Sequence, residues 1–125
     1  MREVISTTHA PASIGPFSQA IRAMGFLFVS GQVAMDPSSG ELIDGDAAIQ
    51  TERVLTSLAS ILAAAGSSID RVVRCSVFLT DLADFARMNE VYARHFTSAP
   101  PARTTVEVSR LPLNARVEID AIALA

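Results

Sequence analysis

Pro101-Ala102-Arg103-Thr104-Thr105-Val106-Glu107-Val108 and, after a short turn, Ala115-Arg116-Val117-Glu118-Ile119-Asp120-Ala121-Ile122 are the two runs from which the fold of this chain can be read. Val106 and Val108 alternate with polar residues in the first run, and Val117, Ile119 and Ala121 alternate with Arg116, Glu118 and Asp120 in the second. Successive side chains of a strand point to opposite faces, so this period of two predicts a pair of β-strands. An arginine opens one strand, and carboxylates stand within the next. A guanidinium keeps its charge at any working pH and offers a planar fork that grips a carboxylate through two parallel hydrogen bonds. The pair is therefore a device suited to holding a small organic acid.

Moving upstream, Thr80-Asp81 opens a helical segment in which Phe85, Met88, Tyr92 and Phe96 recur at intervals of three and four, and Ala99-Pro100-Pro101 stops it. Val72 to Leu79 reads as a strand, with Val73, Cys75, Val77 and Leu79 on one face and Val72, Arg74, Ser76 and Phe78 on the other. Before it, Val54, Leu55, Leu58, Ile61, Leu62 and Ala65 form one apolar stripe of a helix over about Ala47 to Ala65. Asp44 or Asp46 can cap its start, and Gly66 supplies the left-handed residue that closes it. Nearer the N-terminus, Arg2 to Ser6 forms a short strand. Ala20 to Ala23 and Phe26 to Val29 form a hairpin around Met24-Gly25. Ser30-Gly31-Gln32 ends that hairpin, and its glycine lets a ligand or another chain approach the backbone. The order is β, β, β, α, β, α, β, β, an α+β fold in which two helices cover one face of a sheet.

Nothing remains in the chain to cover the other face, where Phe78 and Ile122 are expected to lie beside Arg103, Glu107 and Glu118. A closed homo-oligomer with sites at its seams is expected. The composition points the same way, since half of the 125 residues are hydrophobic and only 18% are charged. This length predicts one domain, residues 1–125. The formal net charge is −3, and all ten basic residues are arginines scattered along the chain. That balance argues against a nucleic-acid surface, which needs clustered positive charge. A lone cysteine allows no internal disulfide. The first residues carry no signal-peptide core, and no apolar run approaches a membrane span. A cytoplasmic protein without a membrane partner is expected.

Several segments together resemble the Rid (YjgF) family of reactive-intermediate imine and enamine deaminases. Pro101-Ala102-Arg103 with Val106, Ser109, Leu111 and Val117-Glu118-Ile119 is similar to the family's C-terminal signature. Ile14-Gly15-Pro16-Phe17-Ser18-Gln19-Ala20, Val29-Ser30-Gly31-Gln32, Val77-Phe78-Leu79-Thr80-Asp81-Leu82 with Phe85, and Asn89 with Tyr92 extend the likeness over essentially the whole chain. The resemblance implies a compact chorismate-mutase-like subunit, a mixed β-sheet with two helices on one face, and a homotrimer with clefts between subunits. It also implies hydrolysis of 2-imino acids or their enamine tautomers to 2-keto acids and ammonia without metal or organic cofactor. Arg103 would bind the substrate carboxylate and Glu118 would hold or activate the attacking water. Phe17, Ser30, Gly31, Asn89 and Thr105 would line the substrate. Phe17 stands where many members have tyrosine, and Thr104 where a smaller residue is usual, so substrate preference is the property these departures touch.

Imine hydrolysis needs a fixed substrate, a positioned water and a proton source for departing ammonia. Imines already hydrolyse quickly in water. A few orders of magnitude of acceleration require only roughly 3 to 6 kcal/mol, within reach of a bidentate arginine and one carboxylate. Other readings of the same residues stay open at this stage. Arg103 could form an interface ion pair with Glu107 or Glu118, and Glu118 could simply alternate outward with Asp120. Ser30 and Gly31 could merely end a strand, and Thr105, Asn89 and Tyr92 could be packing residues. Cys75 reads as a core thiol, and His9 and His95 have no metal-ligand spacing. Two other functions also fit a chain of this kind: a non-catalytic keto-acid-binding or regulatory trimer, and a ribonuclease or translation inhibitor.

Overall fold

The computed structural model describes residues 1–125. Its elements follow the predicted order: β1 (Glu3–Ile5), β2 (Ala20–Ala23), β3 (Phe26–Gln32), α1 (Ala47–Ala64), β4 (Val72–Leu79), α2 (Phe85–His95), β5 (Ala102–Glu107) and β6 (Val117–Leu124). The fold is α+β, with one mixed sheet in the order β1-β2-β3-β6-β4-β5. All neighbours are antiparallel except β4 and β5, which run parallel because the chain crosses through α2 between them.

Local chemistry fixes the ends of these elements. Asp46 caps α1, its Oδ1 accepting the Ile49 N–H at 3.0 Å. At the other end Gly66 takes φ +78°, with Gly66 N–H donating to Ala63 O and Ser67 N–H to Leu62 O, both at 2.9 Å. These paired bonds satisfy carbonyls that the helix leaves open. Met24 and Gly25 both have positive φ, the geometry that joins β2 to β3 in a two-residue hairpin. Helix α2 is shorter than its stripe predicts. Asp81 caps a 3₁₀ turn at Leu82–Asp84 before the α-helix begins, and Phe96 leaves helical geometry at ψ 74°.

Both helices cover the same face of the sheet. The whole predicted stripe of α1 is buried there, together with Leu27, Val29, Cys75, Val77, Leu79, Met88 and the β6 residues Val117, Ile119, Ala121 and Ala123. The opposite face is uncovered and largely apolar: Val4 is 58% exposed, Phe28 45%, Leu124 41%, Val106 39% and Phe26 38%.

Two features depart from simple alternation. Between Val72 and Arg74 the pairing with β6 slips by one residue, which buries Val72 and turns Val73 outward. The expected core side of β4 is thus correct from Cys75 onward and reversed before it. Similarly, β3 does not end at Val29. It continues to Gln32 through a bulge at Ser30 and Gly31, where three steps along β3 match two along β6.

Candidate functional site

The strands that carry Arg103 and Glu118 are not neighbours, as their closeness in sequence suggests. β4 lies between them. Arg103 stands opposite Cys75, whose side chain is fully buried under the helices, whereas Glu118 stands opposite Phe78 on the open side. Val117 and Ile119, flanking Glu118, are fully buried, so the pleat directs Glu118 away from the core. Arg103 and Glu107 thus lie on the covered side and not on the uncovered face expected for them, because they pair with the buried Cys75 and Leu79, and within one subunit Arg103 and Glu118 occupy opposite faces of the sheet.

The Arg103 side is a cleft of about 380 Å³ between α2 and the edge strand β5, lined by Asn89, Tyr92, Phe96, Pro100 and Pro101 along with Arg103. No carboxylate of the chain lies within ion-pair distance of Arg103. Glu107, one rival partner, accepts the Leu82 N–H at 2.9 Å, and Glu118 is on the other face. The Thr105 hydroxyl is on the covered side, buried and without a hydrogen-bond partner, and the Tyr92 hydroxyl is buried there beside the Cys75 thiol. Burial pushes the Tyr92 phenol and the Cys75 thiol up, so both stay neutral at ordinary pH.

On the other side, Glu118 lines a cleft of about 260 Å³ with Pro11, Ile14, Phe17, Gly31 and Leu113. The bulge brings Gly31 directly against the carboxylate: a Cβ added there would fall 2.5 Å from Glu118 Oε2. Any side chain at this position would force the Glu118 carboxylate to move, and it is space rather than backbone conformation that glycine supplies here. Burial raises the Glu118 pKa above its ordinary 4.5, and the nearby Asp120 charge adds to the rise. A carboxyl group so placed can hold a proton closer to neutrality than a free one. Asp120 has a separate task, accepting the Ser76 N–H at 2.9 Å.

Gln19 does not line this cleft but anchors the loop that carries Pro11, one of the cleft walls. Its buried side chain accepts the Thr7 N–H at 2.7 Å and donates to Pro11 O at 2.8 Å, which ties the N-terminal loop to the start of β2. Ser30 is likewise engaged. Its hydroxyl donates to Ser18 O at 2.7 Å, so that hydrogen is committed to the loop rather than free in the cleft. Ser30 borders a separate shallow depression that it shares with Phe17. Neither Tyr92 nor Gln19 stands out in the sequence as a site residue. The signal available for Tyr92 was its position three residues after Asn89, on the side of the helix that meets Arg103.

The roomiest depression, about 700 Å³, crosses the outer surfaces of α1 and α2 and contains none of these residues. Its charges offset one another, Arg53, Arg87 and Arg94 against Asp46, Glu52 and Glu90. No three His, Cys, Asp or Glu side chains are arranged to hold a metal ion, and no helix is long and apolar enough to cross a membrane.

The family profile described as Endoribonuclease L-PSP matches residues 7–125. Protein DfrA of Myxococcus xanthus is 53% identical over 126 residues, which cover 99% of this chain and 96% of that protein. A mouse protein named 2-iminobutanoate/2-iminopropanoate deaminase is 46% identical over 124 residues, covering 99% of this chain and 92% of the mouse protein. Among solved structures, YyfA of Yersinia pestis, a Rid-family protein of unknown function, superposes with a TM-score of 0.97 at 41% identity over the full length of both chains.

Proposed function

The chain belongs to the YjgF/Rid family, and from that membership we propose that it hydrolyses reactive 2-imino acids or their enamine tautomers, among them 2-aminoacrylate, 2-iminopropanoate and 2-iminobutanoate. The products are a 2-keto acid and ammonia. The observation that carries this reading is a half-buried guanidinium with no acidic partner in the chain, facing a cleft. Such a cation awaits an anion, and the carboxylate common to all 2-imino acids fits its fork.

The working site in this reading is shared by two copies of the chain. Arg103 of one subunit fixes the carboxylate, with Thr105 and Asn89 beside it, and Glu118 of the neighbour closes the cleft with Phe17 and Gly31. The apolar open face supports this arrangement, because a second copy would cover it. We take the assembly to be a homotrimer of chorismate-mutase-like subunits. Glu118 holds water against the C=N carbon. The water oxygen bonds to that carbon, the C–N bond breaks, and the protons needed by the departing amine pass through the raised-pKa carboxyl group. All of this is done by side chains, without an organic cofactor.

The test generates 2-imino acids in situ with an amino-acid oxidase and traps them with semicarbazide. Added protein should lower the yield of trapped product by competing for the imine. If the yield does not fall and 2-ketobutyrate still binds tightly, the chain is a binding or regulatory module. The ribonuclease reading has little to work with here, since the net charge is −3 and the ten arginines are scattered rather than clustered for a phosphate backbone.

A further inference from the structure

The guanidinium of Arg103 is supported by rings where an acid would be usual. Its Cζ lies 4.7 Å from the Tyr92 ring centroid and 5.5 Å from that of Phe85, and Nη1 lies 3.9 Å from Met88 Sδ. The Tyr92 ring is itself held, its centroid 4.5 Å from that of Phe96. A partly buried arginine ordinarily draws a carboxylate, and a carboxylate would both occupy the fork and cancel the charge. An aromatic face attracts the cation through its quadrupole and uses none of its N–H donors.

We propose that Tyr92, assisted by Phe85, is a positioning residue for carboxylate binding: stacking fixes the plane of the Arg103 fork and, apart from the one Nη1–H turned to Met88 Sδ, leaves its donors and its charge for the substrate. The proposal rests on the reading of Arg103 as the carboxylate anchor. It assigns Tyr92 a role through its ring alone, because its hydroxyl is buried beside the Cys75 thiol and makes no hydrogen bond to Arg103. Phe85 is 38% exposed, so an altered side chain can be tolerated there and its charge tested directly.

The test compares Tyr92→Leu with Tyr92→Phe, and Phe85→Glu with Phe85→Gln, in the intact protein. Tyr92→Leu should raise the KM for 2-iminobutanoate and the Kd for 2-ketobutyrate roughly tenfold with a much smaller change in kcat, and Tyr92→Phe should restore both. Phe85→Glu should weaken 2-ketobutyrate binding well beyond Phe85→Gln at pH 7. The two should converge at acid pH as the new carboxyl group protonates. Equal losses for Leu and Phe at position 92, or equal binding by Glu and Gln at position 85, would overturn the proposal. Without any ligand, the Arg103 Nε–H resonance should show a ring-current shift that Tyr92→Leu removes. An Nε–H unmoved by that variant rejects the stacking itself. The predicted ring-current shift in a protein that neither turns over imines nor binds 2-ketobutyrate rejects the anchor reading instead, and with it the role proposed for Tyr92.

Discussion

The covered and open faces of one sheet carry different halves of the candidate chemistry. Under the helices, Arg103 is set among Tyr92, Phe85 and Met88, with its charge unneutralised. Across the sheet, Glu118 sits in a cleft formed by loops and a bulge, with Gly31 against its carboxylate and a raised pKa. One side supplies a fixed cation and the other a reluctant anion. Had both groups shared a face, they could have neutralised each other. Separation by the pleat keeps each available, and in the proposed shared site a second copy brings them together.

Disabling the covered side should have the largest effect. Arg103→Ala removes the fork and should lower kcat/KM for 2-iminobutanoate by roughly a hundredfold or more, with the fold intact by circular dichroism. The semicarbazide competition measures it, and full activity in a well-folded variant would end the anchor assignment. Next comes the open face. Phe28→Asp places a charge in the exposed apolar patch, where each phenyl ring buried at a seam is worth about 1.5 to 3 kcal/mol. Sedimentation should show smaller species, and activity should fall with dissociation. An unchanged oligomer would mean that this face is not the seam.

Gly31→Ala acts on Glu118 alone. With no room for the added methyl group, the carboxylate must move, and kcat should drop by about tenfold or more while 2-ketobutyrate binding, held by Arg103, changes less. Equal loss of both would mean that the two sides are not separable in this way. The smallest effect is on stability. Because folding raises the Glu118 pKa, the native state binds its proton more tightly than the unfolded chain. Its relative contribution is fully present below the unfolded value near 4.5 and is lost as pH rises through the folded value. Glu118→Gln should therefore raise Tm at pH 7 and have little effect near pH 4. Thermal unfolding at both pH values checks the sign.

Much of this was legible in the sequence. The stripe from Val54 to Ala65 foretold the covered face of α1, and Asp46 and Gly66 marked its ends, because capping is local chemistry. The uncovered second face followed from counting helices against a sheet. Strand adjacency was not legible: Arg103 and Glu118 read as sharing the uncovered face, yet β4 pairs between their strands and sets Arg103 on the other side, a long-range choice that alternation does not encode. Both bulges were missed for a related reason. One extra residue at Val73 or at Ser30-Gly31 reverses a face without changing the composition of the run. Ser30 read as a residue with a free hydroxyl, and its commitment to Ser18 depends on how the preceding loop folds back. Tyr92 was legible as a residue of the stripe. Its contact with Arg103 needed the β4–α2–β5 crossover.

The shared site is tested most directly by complementation. Arg103→Ala and Glu118→Gln chains, each inactive as a homo-oligomer, would be co-expressed with different tags and purified as mixed assemblies. Restored turnover is expected, since a seam that takes Arg103 from one chain and Glu118 from the other is intact, and random assortment makes about a quarter of the seams so. Mixed assemblies as inactive as their parents would contradict a site built from two copies.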